Sequence, residues 1–234
     1  MARDSGNWAK PVKTLEATDR DGAISGNVRG RRLNAANGGF GRLFQKTFSV
    51  QVGSDVTPEQ VIATWKARFG DFWPKGQKMF LSSTGIAPGE VGIINASLPG
   101  TPTMATGVLV IYADDVSFSF MSPEGHPIAG PLTFSAHVDE FGFTVAQAQE
   151  LTRASDPFWE LAMMMPVLGD RMQNDIWRAT LANLARHFGN ADATVHSKIV
   201  LVDSRRQWRN AKNIWQNAAI RSGLSAPLRL VRRG

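Results

Sequence analysis

Residues 106–188 hold four short segments of strand pattern, separated by turns, that lead straight into one long amphipathic stretch closing at Gly189. An antiparallel sheet followed by a helix able to lie across it restricts the chain to an α+β layout in which the helix covers one sheet face. Ahead of this block, residues 47–52 alternate Phe48, Val50 and Val52 with Thr47, Ser49 and Gln51, the signature of a half-buried strand. Thr57, Pro58, Glu59 and Gln60 then form a capping box with proline at the first helical position, and Val56 and Val61 are spaced for a hydrophobic staple. The helix they open is expected to bury Val61, Ile62, Trp65 and Phe69 and to stop at Gly70.

The segments 78–82, 89–97, 106–112, 116–121, 132–138 and 143–153 read as strands joined by turn-forming sequences, which makes an antiparallel meander. Asp156 and Pro157 supply an N-cap and a first-turn proline for the long helix, while Pro166 and Gly169 predict a kink or break near Val167. Helical geometry places Met172, Ile176, Trp177, Thr180, Leu181, Leu184 and Phe188 on its buried half. Arg171, Asn174, Asp175, Arg178 and Arg186 fall on the other half. Residues 194–202 read as a further strand, and 204–222 as a basic amphipathic helix with an apolar stripe of Trp208, Ala211, Trp215 and Ala218.

Charge divides the chain more sharply than hydropathy does. Residues 1–46 sum to +5, residues 47–190 to −6 and residues 191–234 to +7, within a total of +6. The expected organisation is therefore a basic irregular N-terminal arm (1–46), a central domain (47–189) and a basic C-terminal extension (190–234) that carries a strand and a helix. Two readings of the arms stand side by side: they fold back onto the acidic domain of the same chain or of a twin, or they bind phosphates of lipid head groups or nucleic acid. No helix-turn-helix, RNP-type strand or zinc knuckle accompanies them, so sequence-specific nucleic-acid recognition is not expected. The final helix, with its two indoles among Arg205, Arg206, Arg209 and Lys212, has the composition of a segment that docks on the protein's own surface or on a partner subunit, or lies on an anionic surface.

The chain has no cysteine, which excludes disulfides and thiolate chemistry. It has no run of about 18 uncharged apolar residues, and its start lacks the apolar centre of a secretory signal. A cytoplasmic location, with peripheral membrane contact as a variant, is the expectation. His126, His137, His187 and His196 are scattered without ligand spacing, so no metal site is expected. Nucleophile elbows, phosphate loops and dinucleotide fingerprints are also missing, and no cofactor is expected. The one loop able to carry acid–base chemistry is SPEGHPIAG, where Glu124 and His126 stand two residues apart. Its prolines and glycines equally suit a rigid hairpin connection.

At residue level, WKARFGDFWPKG, GIAPGEVGII, TGVLVIYADDVSFSFMSPEGHPIAG, TFSA, TVAQAQ and RASDPFWEL resemble the START and polyketide cyclase-like (SRPBCC) superfamily, in an actinobacterial branch of it. The likeness runs from Thr47 to about Gly189. It implies a helix-grip fold, a curved antiparallel sheet wrapped around a long C-terminal helix, with an apolar cavity that in the superfamily holds lipids, sterols, polyketides or quinones. It supplies no catalytic motif to carry over. Pro166 and Gly169 depart from a straight helix, and Glu150 disturbs the inward alternation of its strand.

The leading expectation is a binder or carrier of a hydrophobic small molecule, with ligand contacts at Trp65, Phe118, Phe120, Phe134, Met163, Met164, Met172, Ile176, Trp177, Thr180 and Leu184. The alternatives are a cyclase-type enzyme using Glu124 or His126, and a structural subunit with a filled interior that is held in an assembly, as a homo-oligomer or with a protein partner, by its basic arms.

Overall fold

A computed structural model describes residues 4–18, 20–97, 103–165 and 170–231, with the side chains of 170–172 and 225–231 outside the description. The elements in chain order are β1 (Leu43–Gly53), α1 (Pro58–Ala67), β2 (Gln77–Phe80), β3 (Val91–Ala96), β4 (Met104–Ala113), β5 (Ser117–Met121), β6 (Ile128–Ala129), β7 (Pro131–Val138) and β8 (Thr144–Ala154). They continue with α2 (Pro157–Met164), α3 (Asp170–His187), β9 (His196–Asp203), a 3-10 helix (Trp208–Gln216) and α4 (Ala218–Val231). The strands form one curved antiparallel sheet in the order β2-β3-β4-β5-β7-β8-β1-β9, and the short β6 pairs with β8.

Local chemistry explains the helix starts. Thr57 accepts from the Gln60 amide at 3.3 Å while the Gln60 side chain accepts from the Thr57 amide at 2.9 Å, so two orphan donors of α1 are satisfied reciprocally. Asp156 accepts from the Trp159 amide at 3.0 Å and starts α2. The helix expected to run to Gly70 instead ends at Ala67, and a 3-10 turn (Phe69–Phe72) swings Phe69 and Phe72 into the core. The break expected near Val167 lies outside the described residues; on either side of them stand α2 and α3.

The inner face of the sheet presents Phe48 and Val50 (β1), Val110 (β4), Phe118 and Phe120 (β5), Phe134 (β7) and Ala146 and Ala148 (β8) to α1 and α3, which seal it. Among the described residues α3 buries Asn174, Trp177, Thr180, Leu181, Leu184 and Ala185, with Ile176 half-buried. Asn174 departs from its expected place on the wet half of that helix, because it accepts a hydrogen bond from a buried lysine described below.

The N-terminal arm has little regular structure but is firmly packed. Leu15, Ala17 and Val28 bury against Val91, Ile93 and Leu109 on the outer face of β3 and β4, forming a second small core. The C-terminal segment expected as one helix over 204–222 is divided at Asn217, whose side-chain oxygen accepts from the amides of Ala219 and Ile220 and caps α4. Both arms meet: the Asn27 amide group donates to Ala218 O at 3.2 Å and to Ser222 Oγ at 2.9 Å. Of the two readings of the basic arms, folding back onto their own chain is what these contacts describe.

Candidate functional site

The aromatic residues expected around a chamber are brought together, and they fill it. Phe134 lies at the centre, stacked on Phe118 at 4.8 Å between ring centroids and edge-on to Trp65 at 5.0 Å, Phe69 at 5.1 Å, Trp177 at 5.3 Å and Phe120 at 5.5 Å. Such pairs add about 0.5–1.5 kcal/mol each beyond their area, so they favour a closed cluster over a hollow. Thr180 and Leu184 are fully buried in the covering helix, and Thr180 returns its hydroxyl to Ile176 O at 2.7 Å. The oily chamber expected from the sequence is thus occupied by its own walls among the described residues. Among the described residues, the indole Nε1 groups of Trp65, Trp73 and Trp177, in or against this cluster, are buried without hydrogen-bond partners.

A small pocket lies elsewhere, at the α2 end of the inner face. Its volume is about 20 Å³, room for a single water-sized group. Its wall combines the cations Arg42, Lys46 and Arg153 with Glu160 and Gln173, and the apolar Phe44, Ile128 and Met163. Met163 is the one expected ligand contact in that wall; Met164, on the same helix, is exposed, and the side chain of Met172 lies outside the described residues. Neither Trp65, Phe118, Phe120, Phe134, Trp177 nor Leu184 lines it.

Lys46 gives this pocket its character. It continues the inward phase of Phe48, Val50 and Val52 on β1, so its ammonium is driven under α3 and is 3% exposed. Directly opposite on β8 stands Glu150, which follows the inward phase of Ala146 and Ala148. Lys46 Nζ lies 3.7 Å from Glu150 Oε1 and donates to Gln173 Oε1 at 3.3 Å and Asn174 Oδ1 at 3.2 Å. Gln173 Nε2 closes the ring by donating to Glu150 Oε2 at 3.1 Å. A strand beginning at Thr47 conceals this pair; extending the alternation back to Lys46 and accepting Glu150 as inward would have found it.

Charges from the C-terminal extension complete the surroundings. Glu160 accepts from Arg206 Nε at 3.0 Å and faces Arg42 Nε at 3.4 Å. Arg153 donates to Asp203 at 2.6 Å and to the carbonyls of Gly41 and Arg205. The Arg205 guanidinium, together with its backbone amide and Arg153, holds the Asp203 carboxyl well below the usual range. Arg205 and Arg206, two of the expected docking residues, are thus engaged within the chain, the self-docking alternative.

The remaining docking residues follow a period different from the expected one. In a 3-10 helix positions three apart eclipse, and Asn210 and Asn213 share a row that is pinned to the body through Gly39 O at 2.8 Å, Gly38 O at 2.8 Å and Ser155 O at 2.9 Å. Arg209, Lys212 and Trp215 form a separate, exposed row, with Trp215 81% exposed. Trp208 is 73% exposed and touches Phe40 edge-on. The Trp208–Trp215 stripe of an α-helix does not form.

The Glu124–His126 loop acts as a clasp. Glu124 is bound by Arg32 at 2.6 Å, and its amide donates to Arg32 O at 2.9 Å. The carbonyl of Gly125 accepts from Ala218 at 2.9 Å, which ties in the C-terminal arm. Gly125 has φ +86° and its missing Cβ would collide with the Gln216 carbonyl, so glycine is required there by conformation and by contact. Desolvation lowers the His126 pKa to about 4, partly offset because the protonated ring could donate Nδ1–H to Ile128 O. Its Nδ1 also lies 3.2 Å from the Ile128 amide, which fits a neutral ring accepting that bond.

No protein-family model matches the chain, and no curated protein matches it in sequence. Several solved structures follow a similar path. The crystal structure of Ara h 8.0201 is 12% identical over 62% of this chain and 97% of that one, with a TM-score of 0.43. The solution structure of KanY is 10% identical over 61% and 95%, with a TM-score of 0.47. StfQ, a di-domain ARO/CYC protein from the steffimycin biosynthetic pathway, is 12% identical over 63% of this chain and 50% of its own, with a TM-score of 0.45. At these values the likeness stops at the course of the backbone and carries no argument about residues or function. On its own strand order and covering helix, the molecule is an α+β protein of the helix-grip type.

Proposed function

We propose that this chain binds a small amphipathic molecule, with the polar end seated in the pocket beside Lys46. The buried Lys46–Glu150 pair carries this reading. A buried ion pair contributes little net stability relative to apolar packing, and Lys46, one of its two members, lines the pocket, which favours recognition over scaffolding. Three cations in that wall against Glu160 favour a carboxylate or a strongly polarised carbonyl as the head group. The pocket admits one oxygen of that head, while the apolar side chains Phe158, Leu161 and Met164, exposed on α2, offer a surface for the rest.

A medium-chain fatty acid such as decanoate is the probe, with the matching alcohol as control. Binding read from the Met163 methyl resonance should saturate with the acid, weaken at least tenfold for the alcohol, and disappear in Lys46→Met/Glu150→Gln. Native mass spectrometry of material prepared without detergent should show a co-purifying anionic amphiphile. Bare polypeptide mass together with an unmoved Met163 methyl would overturn the proposal.

A further inference from the structure

The two edges of the sheet are treated differently. β2 is short, and its Phe80 carbonyl is capped by the Arg20 guanidinium of the N-terminal arm, which also reaches Val91 O at 3.0 Å. β9 is twice as long, and among the described residues nothing pairs with its outer edge. Uncapped edges of that length are normally blunted by charge, proline or a covering element. Here the centre is Ile199, Val200, Leu201 and Val202, each 41–51% exposed. Four consecutive apolar residues place apolar side chains on both faces, the pattern of a strand buried on both sides within a sheet. One face continues Phe44 and Lys46 of β1 through Leu201 and Ile199, and the other continues Gln45 through Val200.

We propose that β9 pairs antiparallel with β9 of a second copy of this chain, joining the two sheets into one. The strand is its own complement. A two-fold axis perpendicular to the sheet keeps both inner faces on the same side, so opposed residues must share a face. Centring the axis on Val200 sets Val200 against Val200 and Ile199 against Leu201, and matches apolar with apolar across the middle. The same register sets Lys198 against Val202 and Ser197 against Asp203, so no like charges face one another across the seam. A second copy fits this edge better than an unrelated peptide, because register and apolar matching both follow from one sequence.

Sedimentation equilibrium of the full chain should give twice the 25.5 kDa chain mass at micromolar concentration. Amides of residues 196–203 should gain exchange protection as concentration rises. Val200→Lys and Val200→Asp, on an exposed position facing away from α3, should each fold and each weaken dimerisation at least tenfold. Mixing the two variants should restore a dimer containing one of each, which a folding defect could not produce. A monomer at 100 μM, a dimer indifferent to either variant, or failure of the mixture to re-associate would overturn the proposal.

Discussion

Lys46 on β1 stands directly across from Glu150 on β8, with 3.7 Å between Nζ and Oε1, both side chains shut under α3 and bridged by Gln173. Each charge alone would face several kcal/mol of desolvation at this depth. Together with the side-chain amides of Gln173 and Asn174 they form a nearly closed polar ring inside an otherwise apolar layer.

Removing one partner should therefore cost far more than removing both. Lys46→Met should destabilise by about 3–5 kcal/mol by stranding the carboxylate, and Lys46→Met/Glu150→Gln should recover most of that loss. Urea denaturation of the wild type, both single variants and the double variant checks the cycle.

The filled interior can be tested by opening it. Phe134 touches Trp65, Phe69, Phe118, Phe120 and Trp177, so Phe134→Ala should cost about 3–5 kcal/mol. The cavity left behind should take up xenon or benzene, detectable by NMR line shifts of the surrounding rings, while the wild type should not respond.

His126 makes stability depend on acid. Its folded pKa is lowered to about 4 by desolvation, below the unfolded value, so the contribution is full above about pH 6.5 and is lost as pH falls toward 4. Between pH 7 and pH 5 the wild type should lose about 2 kcal/mol from this group alone. His126→Asn, which keeps an acceptor for the Ile128 amide, should lose correspondingly less, as read from urea midpoints at the two pH values.

Asn217 should hold the C-terminal arm in place. It caps α4 through its oxygen and donates to Asp156 at 2.9 Å through its nitrogen. Burial already raises the Asp156 pKa. Asn217→Ala should cost about 2–3 kcal/mol, the cap plus a deprived buried carboxylate. Hydrogen exchange should quicken across 218–224 while β1 and β8 stay protected.

Where a feature depends on neighbours a few residues apart, it could be read directly. The capping box at Thr57 and Gln60, the cap at Asp156, and the alternation of Phe48, Val50 and Val52 all appear as expected. The helix over 204–222 failed on the same local ground. Its residues fit an α-helical stripe, but Asn210 and Asn213 find carbonyls of Gly38, Gly39 and Ser155 only when they eclipse at 3-10 spacing.

Sequence by itself determined the fold class, the order of the main strands and of the helix that follows them, and the buried phase of β1 and α1, because backbone hydrogen bonding and hydrophobic periodicity act over short separations. Tertiary structure alone decided that the aromatic side chains close on one another around Phe134, that Lys46 meets Glu150, and that the basic arms spend Arg32, Arg205 and Arg206 on their own chain. Those outcomes depend on how volumes and charges from distant segments fit together in space. Periodicity shows which way a side chain points and leaves open what it meets.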